Sequence, residues 1–144
     1  MSADYPSMTT AEIRSKFLNF FEERGLKLYP SSSLVPDDPS LLLANAGMNQ
    51  FKEYYQGKKT MKEIGAISCQ KCVRTNDIDC IGEDGRHLSF FEMLGDFSFG
   101  GVSKEQACAW AFELITKEFK LPLDRLYFTV FTEDDETHDV WRSL

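Results

Sequence analysis

A chain of 144 residues can bury one core and is too short for two. Its 42% hydrophobic and 27% charged residues are ordinary for a globular domain and argue against both disorder and a membrane protein. The formal net charge of -7 argues against a broad nucleic-acid clamp, because such a surface neutralises phosphates with surplus Lys and Arg.

No apolar run approaches the roughly 20 residues that cross a bilayer, and residues 1–8 lack the basic and apolar blocks of a signal peptide. The cytosol is the expected compartment, and Cys69, Cys72, Cys80 and Cys108 are expected to be free thiols. Residues 1–8 form a loose leader to a single unit over 9–144. Thr9 and Glu12 have capping-box spacing, and Ile13, Phe17, Phe20 and Phe21 recur on one helical face until Gly25 ends the helix.

Leu26–Tyr29 alternates like a short strand stopped by Pro30. Leu41–Ala44 reads as a buried strand or its approach, Asn45–Gly47 as a bend, and Met48–Tyr55 as a short helix closed by Gly57. Ala66–Arg74 suits a strand, Asn76–Gly85 is a polar loop, and His87–Phe99 suits a returning strand. Strand, loop and strand predict an antiparallel hairpin whose connection is longer than a tight turn. Ser103 and Gln106 form a second capping box, opening a helix of about four turns that Leu121-Pro122 stops. Leu126–Phe131 alternates as another strand, and Asp134, Asp135 and Glu136 open a last helix that is still running at Leu144. This ending predicts a polypeptide that continues further. The predicted fold class is α+β, an incomplete antiparallel β-sheet with flanking helices. Its open edge and uncovered apolar face predict self-association of the fragment.

Chemistry concentrates on the hairpin. An arginine held by a strand, as Arg74 is, presents a permanent forked charge to a phosphate. Arg86 or His87 could reach outer phosphates, and Phe90 or Phe91, four positions later, could offer an adenine its ring. By spacing alone, a surface arginine and two core phenylalanines are the commoner explanation.

Three blocks make the pattern specific: Leu41-Leu-Leu-Ala-Asn-Ala-Gly-Met-Asn-Gln-Phe51, Cys69-Gln-Lys-Cys-Val-Arg74 and Arg86-His-Leu-Ser-Phe-Phe-Glu-Met-Leu-Gly-Asp-Phe-Ser-Phe-Gly100. From about Thr9 to Trp141 the chain resembles alanyl-tRNA synthetases, with the blocks in the family's order. The resemblance implies a class II synthetase fold, with motif 1 in the first helix and the segment running to Pro36, and motif 2 in the hairpin. It implies that Arg74 is the catalytic arginine touching the α-phosphate and the amino-acid carboxylate. Phe90 or Phe91 would be the adenine platform, and Arg86 and His87 would face the phosphates. Met48 and Met93 match positions near the nucleotide, although a methionine is more often a soft core filler.

Two departures stand out. Thr75-Asn76 follows Arg74 where family members commonly carry a Gly-Gly-Lys element, and no glycine follows Gly101, so the glycine-rich motif 3 is absent. The implied activity is ATP-dependent attachment of alanine to its tRNA through an alanyl-adenylate, with ATP and Mg²⁺ as the substrate complex. The implied partners are alanine, ATP and alanine tRNA. The fragment alone is expected to be inactive.

Rival readings remain. Cys69-Gln-Lys-Cys72 with Cys80 and His87 could complete four zinc ligands, but the second pair is not a tight knuckle and the resembled family assigns no metal here, so zinc is not expected. Gly57-Lys58-Lys59-Thr60 lacks the earlier glycine of a phosphate loop and reads as a solvated turn. Residues 133–136 read as charge opening a helix, and His138 as a surface residue. A stand-alone, non-catalytic paralogue that binds nucleotide or protein is the alternative, which a stop codon directly after Leu144 would favour.

Overall fold

The computed structural model describes residues 7–76 and 78–144. Most of the predicted leader, and Asp77 in the polar loop, therefore fall outside the described residues. Helix α1 spans Thr10–Glu22 and begins at the predicted capping box: Thr9 Oγ1 accepts from the Glu12 amide at 3.3 Å, and Glu12 Oε2 accepts from the Thr9 amide at 2.7 Å. It buries Phe17, Phe20 and Phe21, and the chain leaves it through Gly25 at φ 87°, a left-handed conformation that glycine adopts without a Cβ clash.

The hairpin is formed by β2 (Gly65–Val73) and β3 (Phe90–Ser98), antiparallel from Gly65 opposite Ser98 to Val73 opposite Phe90. A two-residue strand, β1 (Lys27–Leu28), adds to the other edge of β2 in parallel. The sheet order is β1-β2-β3, so an antiparallel hairpin carries one short parallel edge.

Alternation along the hairpin divides its residues between two faces. On one face Ile67 and Leu94 meet Phe17, Phe20, Phe21, Leu26 and Leu114 in the main core. Each such large side chain contributes on the order of 1.5–3 kcal/mol on burial. Arg14 of α1 crosses the same face to Glu92, its Nη2 donating to Oε2 at 2.6 Å.

The opposite face carries Ala66, Ser68, Gln70 and Cys72 opposite Phe97, Gly95, Met93 and Phe91. A tight turn at Gly47–Phe51, running into α2 (Lys52–Tyr55), covers it. Phe51 is fully buried there, 4.9 Å from Phe97 and 5.3 Å from Tyr29 between ring centroids. The Phe97 ring lies across Gly95, where a Cβ would sit 2.6 Å from it.

Helix α3 (Lys104–Glu113) starts at the predicted Ser103 box and widens into one looser turn over Leu114–Glu118, giving about the predicted four turns. Thr116 Oγ1 donates to Phe112 O at 2.6 Å where the helix widens. Helix α4 spans Asp135–Ser143 and is capped by Asp134, which accepts from the Thr137 amide at 3.1 Å. Asp134 and Glu136 also hold Lys104, so part of the acidic run caps a helix and pairs with α3.

Three expectations change. Leu41–Ala44 forms bends: Leu42 is 85% exposed, while Ala44 is buried because its carbonyl receives the Val73 amide at 2.9 Å and its amide donates to Leu34 O at 2.8 Å. Strand β3 begins at Phe90, not His87, because Asp84 holds the Arg86 and His87 amides in a turn. Leu126–Phe131 has no ladder partner among the described residues. Phe128 packs on Trp141 at 4.5 Å and on Phe112 at 5.9 Å, while Tyr127 is 92% and Phe131 72% exposed. The alternation is satisfied on one side only.

Candidate functional site

Arg74 lies one residue beyond the β2 ladder, its amide donating to Ser89 O at 2.9 Å, so the hairpin still fixes its backbone. Strand alternation places it on the face of Cys72 and Phe91. Its Nε donates to the Asn45 carbonyl at 3.1 Å, and its guanidinium carbon stands 5.3 Å from the Phe91 ring centroid. Anchoring Nε leaves the two terminal nitrogens as a fork aimed by backbone on one side and an aromatic ring on the other. Among the described residues no carboxylate pairs with this guanidinium.

Phe91 and Phe90 fall on opposite faces, opposite Cys72 and Val73 respectively. Phe90 is 55% exposed and lies away from the Arg74 face, so the structure brings Phe91, and not Phe90, to Arg74. Arg86 and His87 precede the strand, so the four-residue pairing with Phe90 and Phe91 does not put them on one strand face. Both are exposed on the loop.

That loop has its own organiser. Asp84 Oδ1 accepts from the Arg86 amide at 2.9 Å and the His87 amide at 3.1 Å, and Oδ2 lies 2.7 Å from His87 Nδ1. The two amides, with His87 adding to them, hold the Asp84 carboxyl down to about 2.

The same sheet face is supported by residues of which the sequence had singled out only Met93. The Gly47 amide donates to the Met93 thioether at 3.2 Å, and a Cβ on Gly47 would come 3.2 Å from Phe97 and 3.7 Å from Gln70. Met93 is thus a half-buried acceptor that holds the Asn45–Gly47 bend, whereas Met48 is exposed. Gln70 is fully buried: its Oε1 accepts from the Ser32 amide at 2.9 Å, the Ser32 hydroxyl at 3.1 Å and Gln50 Nε2 at 3.1 Å. Its Nε2 donates to Ser32 O at 3.2 Å and Lys71 O at 2.8 Å. A long amide ending a run of small and apolar residues, Ala-Ile-Ser-Cys-Gln, was the available signal. Asn45 acts through its backbone and left none.

Cys69 and Cys72 fall on opposite faces of β2, opposite Leu94 and Phe91, so they do not converge as a knuckle. Burial pushes both thiols up, with Arg14 beside Cys69 pulling the other way. Cys80 is exposed on the loop and His138 on α4. A cleft of about 530 Å³ lies elsewhere, between 32–39 and 49–59. Its lysines 52 and 59 are matched by Asp38 at 2.6 Å and Glu53 at 2.5 Å, and Gly57 makes a left-handed turn before Lys58. Lys52 and Lys59 of that cleft are thus paired, whereas the Arg74 fork has no carboxylate partner among the described residues.

Residues 12–144 match the tRNA synthetases class II (A), and the chain belongs to that family. More particularly, it is similar to alanine–tRNA ligases. It is 53% identical over 131 residues to the chloroplastic/mitochondrial alanine–tRNA ligase of Sorghum bicolor, which covers 91% of this chain and 14% of that protein. It is 51% identical over 142 residues to the alanine–tRNA ligase of Synechocystis, covering 99% and 16%. The ligase of Pseudothermotoga lettingae is 50% identical over 137 residues, covering 95% and 16%. The chain therefore spans about a sixth or less of these relatives' length. Among the described residues no helix is long and apolar enough to cross a membrane.

Proposed function

We propose that this chain is the ATP-facing front part of an alanine–tRNA ligase and supplies motif 2 of its adenylation site. The observation that carries this is the Arg74 fork, held by the Asn45 carbonyl beside the Phe91 ring, where the three sequence blocks meet. The substrates are alanine and MgATP, and alanine tRNA is the acceptor. The cytosol is the proposed compartment, which fractionation of the source cells tests.

The reaction joins an alanine carboxylate oxygen to the α-phosphorus of ATP and breaks the bond to the β-phosphate, releasing pyrophosphate. Two anions must meet. Arg74 bridges them through its terminal nitrogens and stabilises the charge that grows on the α-phosphoryl oxygens. Because Nε is already held, little reorganisation accompanies that step. Phe91, on the same face, offers adenine a flat surface. Arg86 and His87 take the outer phosphates, where a Gly-Gly-Lys element is lacking. The Mg²⁺ that accompanies ATP offsets the charge of the leaving pyrophosphate. The other face of the adenine site, the alanine pocket and the tRNA-recognition elements are proposed to lie outside these 144 residues, so this chain alone is expected not to aminoacylate.

The test is amino-acid-dependent ATP–pyrophosphate exchange by the full-length polypeptide carrying this chain. Exchange stimulated by alanine above other amino acids is expected. Stimulation by a different amino acid, or by none, would overturn the proposal.

A further inference from the structure

The polar loop contains a carboxylate, Asp84, that neither the sequence pattern nor the proposed reaction uses. Asp84 binds three donors: the amides of Arg86 and His87 on Oδ1, and the His87 ring on Oδ2 at 2.7 Å. An ionised carboxylate only accepts, so the proton in the 2.7 Å contact belongs to His87 Nδ1. The ring is thereby fixed as its Nδ1–H form, and Nε2 is the nitrogen left to face outward. Both side chains are exposed, 41% for Asp84 and 44% for His87, so a ligand can reach that nitrogen.

His87 is also close to Arg74 along the hairpin. Ser89 accepts the Arg74 amide, and His87 lies two residues before Ser89 on the same hairpin arm. At about 3.3 Å per extended residue, its backbone stands at most about 7 Å further out than Arg74's partner.

We propose that Asp84 is a positioning residue for nucleotide: it holds His87 through Nδ1 and so aims Nε2 at the outer phosphates of MgATP. This inference rests on the proposed adenylation function and deepens it by naming what orients the loop. When the ring carries both protons, Nδ1–H stays on Asp84 and Nε2–H donates to a phosphate oxygen. Asp84 itself touches no phosphate. One carboxylate thus sets the turn, the ring's orientation and its tautomer together.

Two measurements test it. The chain has two histidines, so in a His138→Gln background the imidazole nitrogen spectrum reports His87 alone. A protonated Nδ1 and a lone pair on Nε2 are expected for the neutral ring, changing to a tautomer mixture in Asp84→Asn. Asparagine keeps the Oδ1 acceptor for the two amides, and an unchanged thermal midpoint separates loss of ring orientation from loss of the loop. In the full-length protein, His87→Ala and Asp84→Asn are each expected to raise the exchange KM for ATP about five- to tenfold with kcat within about twofold, as loss of one charge-assisted contact in ground and transition states alike predicts. The double variant should be no worse than His87→Ala. A double effect that multiplies to about 25-fold or more would overturn the inference, because Asp84 would then act without His87. An unchanged tautomer in Asp84→Asn would overturn it too. If His87→Ala leaves KM unchanged, the assignment of His87 to the nucleotide falls and this inference with it. If alanine-dependent exchange is absent from the parent protein, the proposed function itself has failed, a separate result.

Discussion

Replacing Gln70 by leucine removes a fully buried side chain that ties the Ser32 loop and the Gln50 turn to the sheet face carrying Arg74. Five hydrogen bonds disappear. The Ser32 hydroxyl and the Gln50 amide belong to half-buried residues and can turn toward water, so each loses only a net bond of about 1 kcal/mol or less. The Ser32 amide cannot turn, and leaving it without an acceptor costs about 1–3 kcal/mol. Leucine nearly conserves the volume and recovers some apolar burial, which offsets part of this. The expected destabilisation is about 3 kcal/mol. With a urea dependence of about 2 kcal/mol per molar for a domain of this size, the unfolding midpoint falls by about 1.5 M. Amide exchange of Ser32 and Ser33 should accelerate more than that of Ile67 and Leu94, which stand on the other face. A midpoint shift below about 0.4 M would refute the claim that this amide organises the sheet face carrying Arg74.

Three further outcomes follow from local geometry. Thiol titration of the native chain should modify exposed Cys80 first and fully buried Cys72 only as the protein unfolds; early modification of Cys72 would contradict the face assignment of β2. Asp84 sits below its ordinary 3.8 at about 2, so the turn it supports is fully stabilised above about pH 4 and loses that support as pH falls through about 2. The Arg86 and His87 amide resonances should move with that low midpoint, and a midpoint at 3.8 or above would remove the basis for it. Tyr127 and Phe131, left exposed on a segment with no ladder partner among the described residues, predict concentration-dependent self-association in sedimentation. The Tyr127→Lys/Phe131→Lys variant should sediment as a monomer, and unchanged association in it would place the contact elsewhere.

Much of the fold was legible because local signals were redundant. Thr9 with Glu12 and Ser103 with Gln106 marked two helix starts that the backbone confirms, and the apolar spacing of Phe17, Phe20 and Phe21 matched the buried stripe of α1. The hairpin followed from two alternating runs around a polar loop. What failed needed partners distant in sequence. Leu126–Phe131 has strand-like alternation, yet a strand also requires a neighbour's backbone. The two-residue β1 pairs in parallel with β2 across 38 or more residues, which no local pattern encodes. The site was legible in its residue types and not in its assembly. Phe90 and Phe91 were equivalent by spacing, and only the register opposite Cys72 brings one of them to Arg74. Asn45 contributes a carbonyl that every residue possesses.

The central claim, that Arg74 is the phosphate-facing arginine of an alanine-activating site, is tested most directly by alanine-dependent ATP–pyrophosphate exchange in the full-length protein with Arg74→Ala and Arg74→Lys. Loss of one preorganised cationic donor corresponds to about 3–4 kcal/mol of transition-state stabilisation, so Arg74→Ala should lower the rate by about 10²–10³. Lysine restores charge without the fork and should recover only part of it. An Arg74→Ala rate within a few-fold of the parent would contradict the account.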